Sequence, residues 1–264
     1  MSEEILADGG LRLSRSGSVA RLTLARPNAR NALTFAMWSA LPDIASQLSQ
    51  DDAIRVLIIS GEGDQAFSAG ADIKEFPATY ADLDSTRRYN AAVREAQAAI
   101  ENMRIPVIAE IRGACFGGGC GLALHCDLRF ADDTSRFAIT PAKLGLAYSF
   151  EGTRRLVSLV GTSGAKDILF SGRVLSSAEA LNMHLIDFVV PQAELGATVE
   201  EYAASLCKVS KVSIEVAKKT VDAVASGADT ADAALRSAFE ETFSGADFAE
   251  GCAAFIEKRK PDFN

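Results

Sequence analysis

The chain has 264 residues, 48% of them apolar, and a formal net charge of -8. That much apolar material can fill the core of one large α/β domain or two small ones. The acid excess argues against nucleic acid or an anionic membrane as the main partner, because such binding rests on clustered Lys and Arg, and it leaves room only for a local patch that takes a small anion.

The opening segment, Met1 to Asp8, has neither the basic-then-apolar plan of a secretory signal nor the Arg-rich plan of a transit peptide, so a cytoplasmic location is expected. Val19 to Leu24 alternates in the manner of a half-buried strand, and Arg26-Pro27-Asn28 closes it with turn chemistry. From Phe35 the spacing becomes helical, with Phe35, Trp38, Leu41, Ile44 and Leu48 on one face and Pro42 inside the pattern as a source of kinking. Arg55 to Ser60 is a continuous apolar run of the kind found in strands covered on both faces, followed by a Gly61-Glu62-Gly63-Asp64 turn. Even its longest stretch, Val56-Leu57-Ile58-Ile59, is far too short to span a bilayer.

Residues 85 to 104 read as a helix ended by Ile105-Pro106, and Val107 to Ile111 as a second covered strand. Gly118 to Leu124 reads as a helix opening from a glycine loop, and Cys126 to Phe130 as a returning strand. From Gly152 the pattern is mainly helical, over 152 to 160, 163 to 170, 177 to 183, 197 to 226, and 229 to 259 with breaks. Strand signals thus concentrate in the first two thirds, an order that predicts repeated strand-strand-helix units capped by a helical tail. The division expected is a core over 1 to 195 and a helical region over 196 to 264.

Cys115, Cys120, Cys126, Cys207 and Cys252 include no C-x-x-C pair, which supplies neither a disulfide framework nor a zinc site and reads as buried structural thiols. His125 and His184 are the only histidines, too few for a His-based triad or a multi-His metal centre, so no metal is expected. Gly61 to Ala66 fits the G-x-G-x-x-A dinucleotide fingerprint in letters only. A phosphate there would face Glu62 and Asp64, and the residues that follow do not open a helix, so the segment reads as a structural turn.

Two other stretches carry the chemistry. Phe67 to Phe76 (FSAGADIKEF) and Gly113 to Gly121 (GACFGGGCG) each read as main chain that offers N–H groups to an anion. Donors converging from two turns suit a thioester oxygen on which negative charge develops. Taken singly, the first could be a surface loop and the second a helix start whose small residues permit close packing.

Together and in this order they resemble the crotonase (enoyl-CoA hydratase/isomerase) superfamily. Arg26 to Leu33 resembles its R-P-x-x-x-N-A-L motif, Phe67 to Phe76 its F-x-A-G-A-D-[IL]-x-E segment and Gly113 to Leu122 its G-x-x-x-G-G-G-x-x-L segment. Glu250 to Phe263 resembles its closing E-G-x-x-A-F-x-E-K-R-x-P-x-F helix. The resemblance implies an α/β spiral of ββα units with a C-terminal helical trimerisation region, a homotrimer or dimer of trimers, and an acyl-CoA substrate. It implies no cofactor beyond the coenzyme A moiety of that substrate. By the same resemblance the amides of Ala71 and Gly118 form an oxyanion hole. Ala69, Asp72 and Ile73 lie where main-chain groups hold the adenine, and Arg30 lies near the phosphates. Phe255 and Lys258 match tail residues that reach the adenine and phosphates, often of a neighbouring subunit; Phe255 read from its spacing alone is equally a helix-packing residue.

The sequence departs from this pattern where a hydratase carries its two glutamates, which are replaced by Gly121 and Ala142. Neither side chain can move a proton, and a positioned acid/base is typically worth about 10²–10⁴-fold in rate. The segment Thr140 to Tyr148 instead resembles the T-P-x-x-L-G-x-x-Y of the methylmalonyl-CoA decarboxylase branch, where a tyrosine faces the substrate carboxylate. That branch has a carboxylate at the Gly121 position and a histidine at the Ala71 position, both absent here. A decarboxylase or related lyase, with Tyr148 orienting the carboxylate or later protonating carbon and Thr140 as a candidate hydrogen-bond partner, is therefore the leading expectation. Tyr148 is equally readable as a packed loop aromatic. A hydratase or double-bond isomerase using Glu151 is the alternative, set against Glu151 as a first-turn helix acid favoured by the dipole. A non-catalytic acyl-CoA-binding or RNA-associated homologue is the third reading.

Overall fold

The computed structural model describes residues 3 to 263. In chain order its strands are β1 (Glu3–Leu6), β2 (Leu11–Ser16), β3 (Val19–Leu24), β4 (Val56–Gly61), β5 (Ala66–Ser68), β6 (Val107–Ile111), β7 (Ala114–Phe116), β8 (Leu128–Asp132), β9 (Arg136–Ala138), β10 (Leu175–Ser176) and β11 (Phe188–Val190). The α-helices are α1 (Phe35–Gln50), α2 (Phe76–Thr79), α3 (Leu83–Glu101), α4 (Gly117–His125), α5 (Phe150–Ser171), α6 (Ser177–Asn182), α7 (Leu195–Leu206), α8 (Lys211–Ala225), α9 (Ala233–Glu241) and α10 (Ala246–Glu257).

The chain weaves between a seven-stranded sheet, ordered β1-β2-β3-β4-β6-β8-β11, and a four-stranded one, ordered β10-β9-β7-β5. A strand in the large sheet is followed by a short strand in the small sheet and then by a helix, giving three turns of a spiral: β4 and β5 before α3, β6 and β7 before α4, β8 and β9 before α5. The long strands of these units pair in parallel, β4 with β6 and β6 with β8, and so do the short ones, β5 with β7 and β7 with β9. Parallel strands covered on both faces read as unbroken apolar runs, and every residue of Val107–Ile111 is buried.

One face of the large sheet joins the main core with the buried side of α1, which presents Met37, Trp38, Leu41, Ile44 and Leu48. The other face buries Val56, Ile58, Ile108 and Phe130 against Leu195, Val199 and Ala203 of α7. Among the described residues no helix is long and apolar enough to cross a membrane.

Local differences from the sequence reading have local causes. Phe35 begins α1 but stands 42% exposed, outside the buried stripe. The helix expected over 197 to 226 is two helices: the first ends at Leu206, and Ser210 caps α8 by accepting from the Ser213 amide. The two helices expected over 152 to 170 run as one element with a kink at Gly161, whose φ is 70°. β1, β2, β5, β7, β9, β10 and β11 carry no counterpart in that reading.

Gly113 joins the two sheets at the start of β7. Its φ is +62°, and a Cβ there would lie 2.2 Å from the Gln65 carbonyl oxygen, the acceptor of the Ala114 amide. Left-handed strain and a main-chain clash coincide, so Gly113→Ala is expected to lower stability by about 3 kcal/mol. A fall in the urea midpoint at unchanged slope measures it.

Candidate active site

The two glycine segments meet edge to edge. Leu33 donates its amide to the Gly70 carbonyl at 2.7 Å, and Asp72 donates to the Leu33 carbonyl at 2.9 Å, making a one-residue parallel bridge between Leu33 and Ala71. Such a bridge uses the main-chain groups that flank its centre, so the N–H of Ala71 is turned away from Leu33. Facing it is the start of α4, where Gly118 is the second residue and its amide is one of the first-turn donors with no acceptor inside the helix. Neither amide donates to an acceptor among the described residues.

Glycine at these positions is a matter of space. A Cβ on Gly70, whose φ is +102°, would lie 2.9 Å from the Phe116 carbonyl and 3.2 Å from the Gly118 nitrogen. A Cβ on Gly118 would lie 3.5 Å from the Ala71 nitrogen and 3.2 Å from Trp38 Cζ2. Two unshared N–H groups therefore adjoin at a half-exposed site, and the positive end of α4 adds to their pull on negative charge.

Polar contacts hold both loops in place. Asn31, fully buried with φ of 55°, accepts from the Arg26 amide at 3.1 Å and donates to the carbonyls of Glu62 and Ala66 at 3.0 and 2.7 Å. Arg26 in turn donates to Asp72 Oδ2 at 2.7 Å and to the Ala32 carbonyl at 2.6 Å. Burial pushes the Asp72 carboxyl upward, but the Arg26 contact and the Lys74 amide outweigh it and leave its pKa below the usual carboxylate range. The main-chain N–H and carbonyl of Asp72 are both spent, on Leu33 and Glu75. Asp72 is thus a fastener of the loop, and of its main-chain groups only the second lone pair of the carbonyl is left to accept. The Ala69 amide is taken by the Arg30 carbonyl and the Ile73 carbonyl by the Phe76 amide, which leaves the Ala69 carbonyl and the Ile73 amide.

From Gly118 one face of α4 runs through Gly121 to His125, at the three- and four-residue steps that keep side chains in register. A Cβ on Gly121 would lie 2.8 Å from Gln97 Nε2 and 3.2 Å from Tyr148 Oη. The place from which a residue-121 carboxylate would project is filled by a carboxamide from α3 and a phenol from the loop before α5. The Tyr148 hydroxyl is buried and lacks a hydrogen-bond partner, so the pairing with Thr140 expected from the sequence is not formed. Burial raises its pKa far above the ordinary tyrosine value, which keeps it a neutral donor. Thr140 stands half-buried at the start of the 141–144 turn, its carbonyl accepting from Lys143, and Ala142 is exposed.

At His125 the same face opens into a polar cavity of about 460 Å³ that also touches Gln97, Glu101, Glu151 and Arg154. Seven residues of helix separate His125 from Gly118, roughly 10 Å at about 1.5 Å per residue. Glu151 shares this cavity with Gln97 and His125, and neither Ala71 nor Gly118 lines it. His125 Nδ1–H donates to the Gly121 carbonyl at 2.7 Å, and burial lowers its pKa, leaving a neutral, satisfied ring. Gln97, 5% exposed, escaped the sequence reading: within a regular helix nothing distinguishes a polar residue that faces inward from one that faces water.

The sequence matches the model of the family described as enoyl-CoA hydratase/isomerase over residues 14–264. The chain belongs to the enoyl-CoA hydratase/isomerase family. Among curated relatives it is 33% identical to a short-chain-enoyl-CoA hydratase of Clostridium acetobutylicum, over 94% of this chain and 95% of that one. It is 34% identical to a crotonyl-CoA hydratase of Syntrophomonas wolfei, over 95% and 96%. Among solved structures, an enoyl-CoA hydratase/isomerase family protein of Hyphomonas neptunium superposes with a TM-score of 0.93 at 36% identity, covering 97% of each chain. The α/β spiral of ββα units is thus the crotonase fold.

The remaining residues that the resemblance to the enoyl-CoA hydratase/isomerase family singles out are dispersed. Arg30 is exposed, in the left-handed conformation with φ of 50°, and borders a cavity with Glu62 and Asp64. Its carbonyl, through Ala69, ties it to the Ala71 loop. Phe255 is 86% exposed, which removes its reading as a core-packing residue. It lines a cavity of about 850 Å³ among α8, α9, α10 and the chain end that includes no residue of either glycine segment. Lys258 ends α10 in the left-handed conformation, exposed. Within one chain these two residues are not brought to the amide pair. The Gly61 to Ala66 turn leads into β5, not a helix, which agrees with its reading as structural.

Proposed function

We propose that this family member binds an acyl-CoA thioester with its carbonyl oxygen between the amides of Ala71 and Gly118 and stabilises the enolate that forms there. The observation that carries this reading is the pair of adjoining N–H groups left without protein acceptors, one of them in the first turn of a helix. Of the reactions that pass through such an enolate, hydration or double-bond isomerisation has the support of the relatives' names. The proton carrier in this reading is Glu151, which has no ion pair among the described residues, whereas Glu101 in the same cavity is tied to Arg154.

A second reading, decarboxylation of a malonyl-type thioester, is favoured by one observation: Tyr148 and Gln97 occupy the place of a residue-121 carboxylate. Cleavage of the C–CO2 bond would leave its electron pair in the enolate and need no base, and a proton would later be delivered to carbon. Crotonyl-CoA hydration and CO2 release from methylmalonyl-CoA separate the two. Glu151→Gln is expected to slow hydration by about 10²-fold or more, and an unchanged rate would remove Glu151 from the chemistry. CO2 release that survives Glu151→Gln but falls in Tyr148→Phe would establish the second reading. Binding of acyl thioesters with turnover of neither substrate would favour a non-catalytic role.

A further inference from the structure

We infer that Gln97 is a substrate-contacting specificity residue which, with Tyr148, selects acyl groups bearing an oxygen substituent on the α or β carbon. The inference rests on the proposed placement of the thioester carbonyl between Ala71 and Gly118 and concerns the part of the site one turn further along α4.

The geometry is fixed by the helix. Gly118 and Gly121 share a face, and positions three apart on a helix hold their Cβ atoms roughly 5–6 Å from each other. The Gln97 carboxamide and the Tyr148 hydroxyl meet at the second of these positions. With the carbonyl oxygen held at the first, the α and β carbons of the acyl group and their substituents fall within this span. Polar groups there must be matched, because a buried donor left without an acceptor forfeits the water it gave up.

Both groups are unmatched in the protein. Tyr148 Oη is buried with no partner, and Gln97, although 95% enclosed by its 5% exposure, makes no hydrogen bond among the described residues. Several polar side chains of the neighbouring cavity are engaged elsewhere, Arg154 with Glu101, Arg155 with the Leu124 and Cys126 carbonyls, and His125 with Gly121, whereas Glu151 in the same cavity has no ion pair among the described residues. None of the three atoms nearest a Cβ on Gly121 belongs to a cation. The pair offers neutral donors and two acceptor oxygens, the Gln97 carbonyl and the Tyr148 hydroxyl, a set that rewards a carboxylate or hydroxyl oxygen and gains nothing from a plain alkyl chain. A methylene there would leave the Tyr148 hydroxyl stranded; an oxygen would satisfy it and give the Gln97 head, which borders the cavity, a fixed partner.

Binding of three thioesters to the full chain tests this by calorimetry: malonyl-CoA, 3-hydroxybutyryl-CoA and butyryl-CoA. Gln97→Met keeps length and removes the polar head. It is expected to weaken at least one oxygenated ligand by about tenfold or more while leaving butyryl-CoA within about twofold. Gln97→Glu is expected to weaken malonyl-CoA selectively if the substituent is a carboxylate, and to retain 3-hydroxybutyryl-CoA if it is a hydroxyl. Equal effects on all three ligands, or none on any, would overturn the inference, as would a larger loss for butyryl-CoA. Should Gln97→Met lower the thermal midpoint, Gln97→Glu supplies the same comparison through charge. Failure of the unaltered protein to bind any of the three would instead count against the placement of the thioester carbonyl.

Discussion

Replacing Gly118 by proline is expected to slow turnover of the thioester substrate by about 10²–10³-fold while the protein stays folded, since one oxyanion donor is commonly worth that much. Proline lacks the amide hydrogen, and at the second residue of α4 that hydrogen has no intrahelical acceptor to lose. Gly118→Ala makes the control. It retains the donor and places a methyl group 3.2 Å from Trp38 Cζ2 and 3.5 Å from the Ala71 nitrogen, so a smaller loss is expected, arising from crowding alone. Steady-state rates with crotonyl-CoA and methylmalonyl-CoA, taken beside thermal midpoints, read out both variants. A proline variant that turns over as fast as the unaltered protein would remove the Gly118 amide from the chemistry and with it the proposed role of the glycine segments.

Asp72→Asn is expected to cost about 2 kcal/mol of stability at neutral pH, the scale of a hydrogen bond to a charged group in a part-buried pair. The Arg26 guanidinium would lose its counter-charge at 2.7 Å, and Arg26 also supports the Ala32 carbonyl beside the Leu33 bridge. The effect carries a pH signature. The folded-state pKa of Asp72 lies below its unfolded value, so the stabilisation is present above the unfolded pKa, at about pH 4, and is lost as pH falls through the folded one. The stability gap between the unaltered protein and Asp72→Asn should therefore narrow from pH 7 toward pH 3. Urea unfolding at the two pH values measures it, and a gap that stays constant would show that the carboxylate charge is not what fastens the loop.

The elements legible in the sequence are those whose pattern repeats over several residues. Val19–Leu24 and Val107–Ile111 are strands at the expected residues, and the buried stripe of α1 contains Trp38, Leu41, Ile44 and Leu48 as expected. The short strands of the second sheet were not legible. Ala66–Ser68, Ala114–Phe116 and Arg136–Ala138 are three residues each, too brief for a period to show, and two of them lie inside segments whose glycines dominate the reading. The amide pair was legible because glycine marks close main-chain approach. The partners of the pair were not: Gln97 reaches Gly121 from a helix twenty-four positions earlier, and the Asp72 side chain is an internal tie once Arg26 is seen beside it. Side-chain direction, which decides both, is set by packing between elements and leaves no trace in local spacing.

The Asn31 side chain has a wider consequence. Its three hydrogen bonds hold the turn at Arg26, the end of β4 and the start of β5, so the asparagine of the N-terminal signature is a rivet of the framework. A descendant could shed every proton carrier and still need that asparagine to assemble. Kinship read from such letters transmits architecture faithfully and is mute about which reaction the architecture serves.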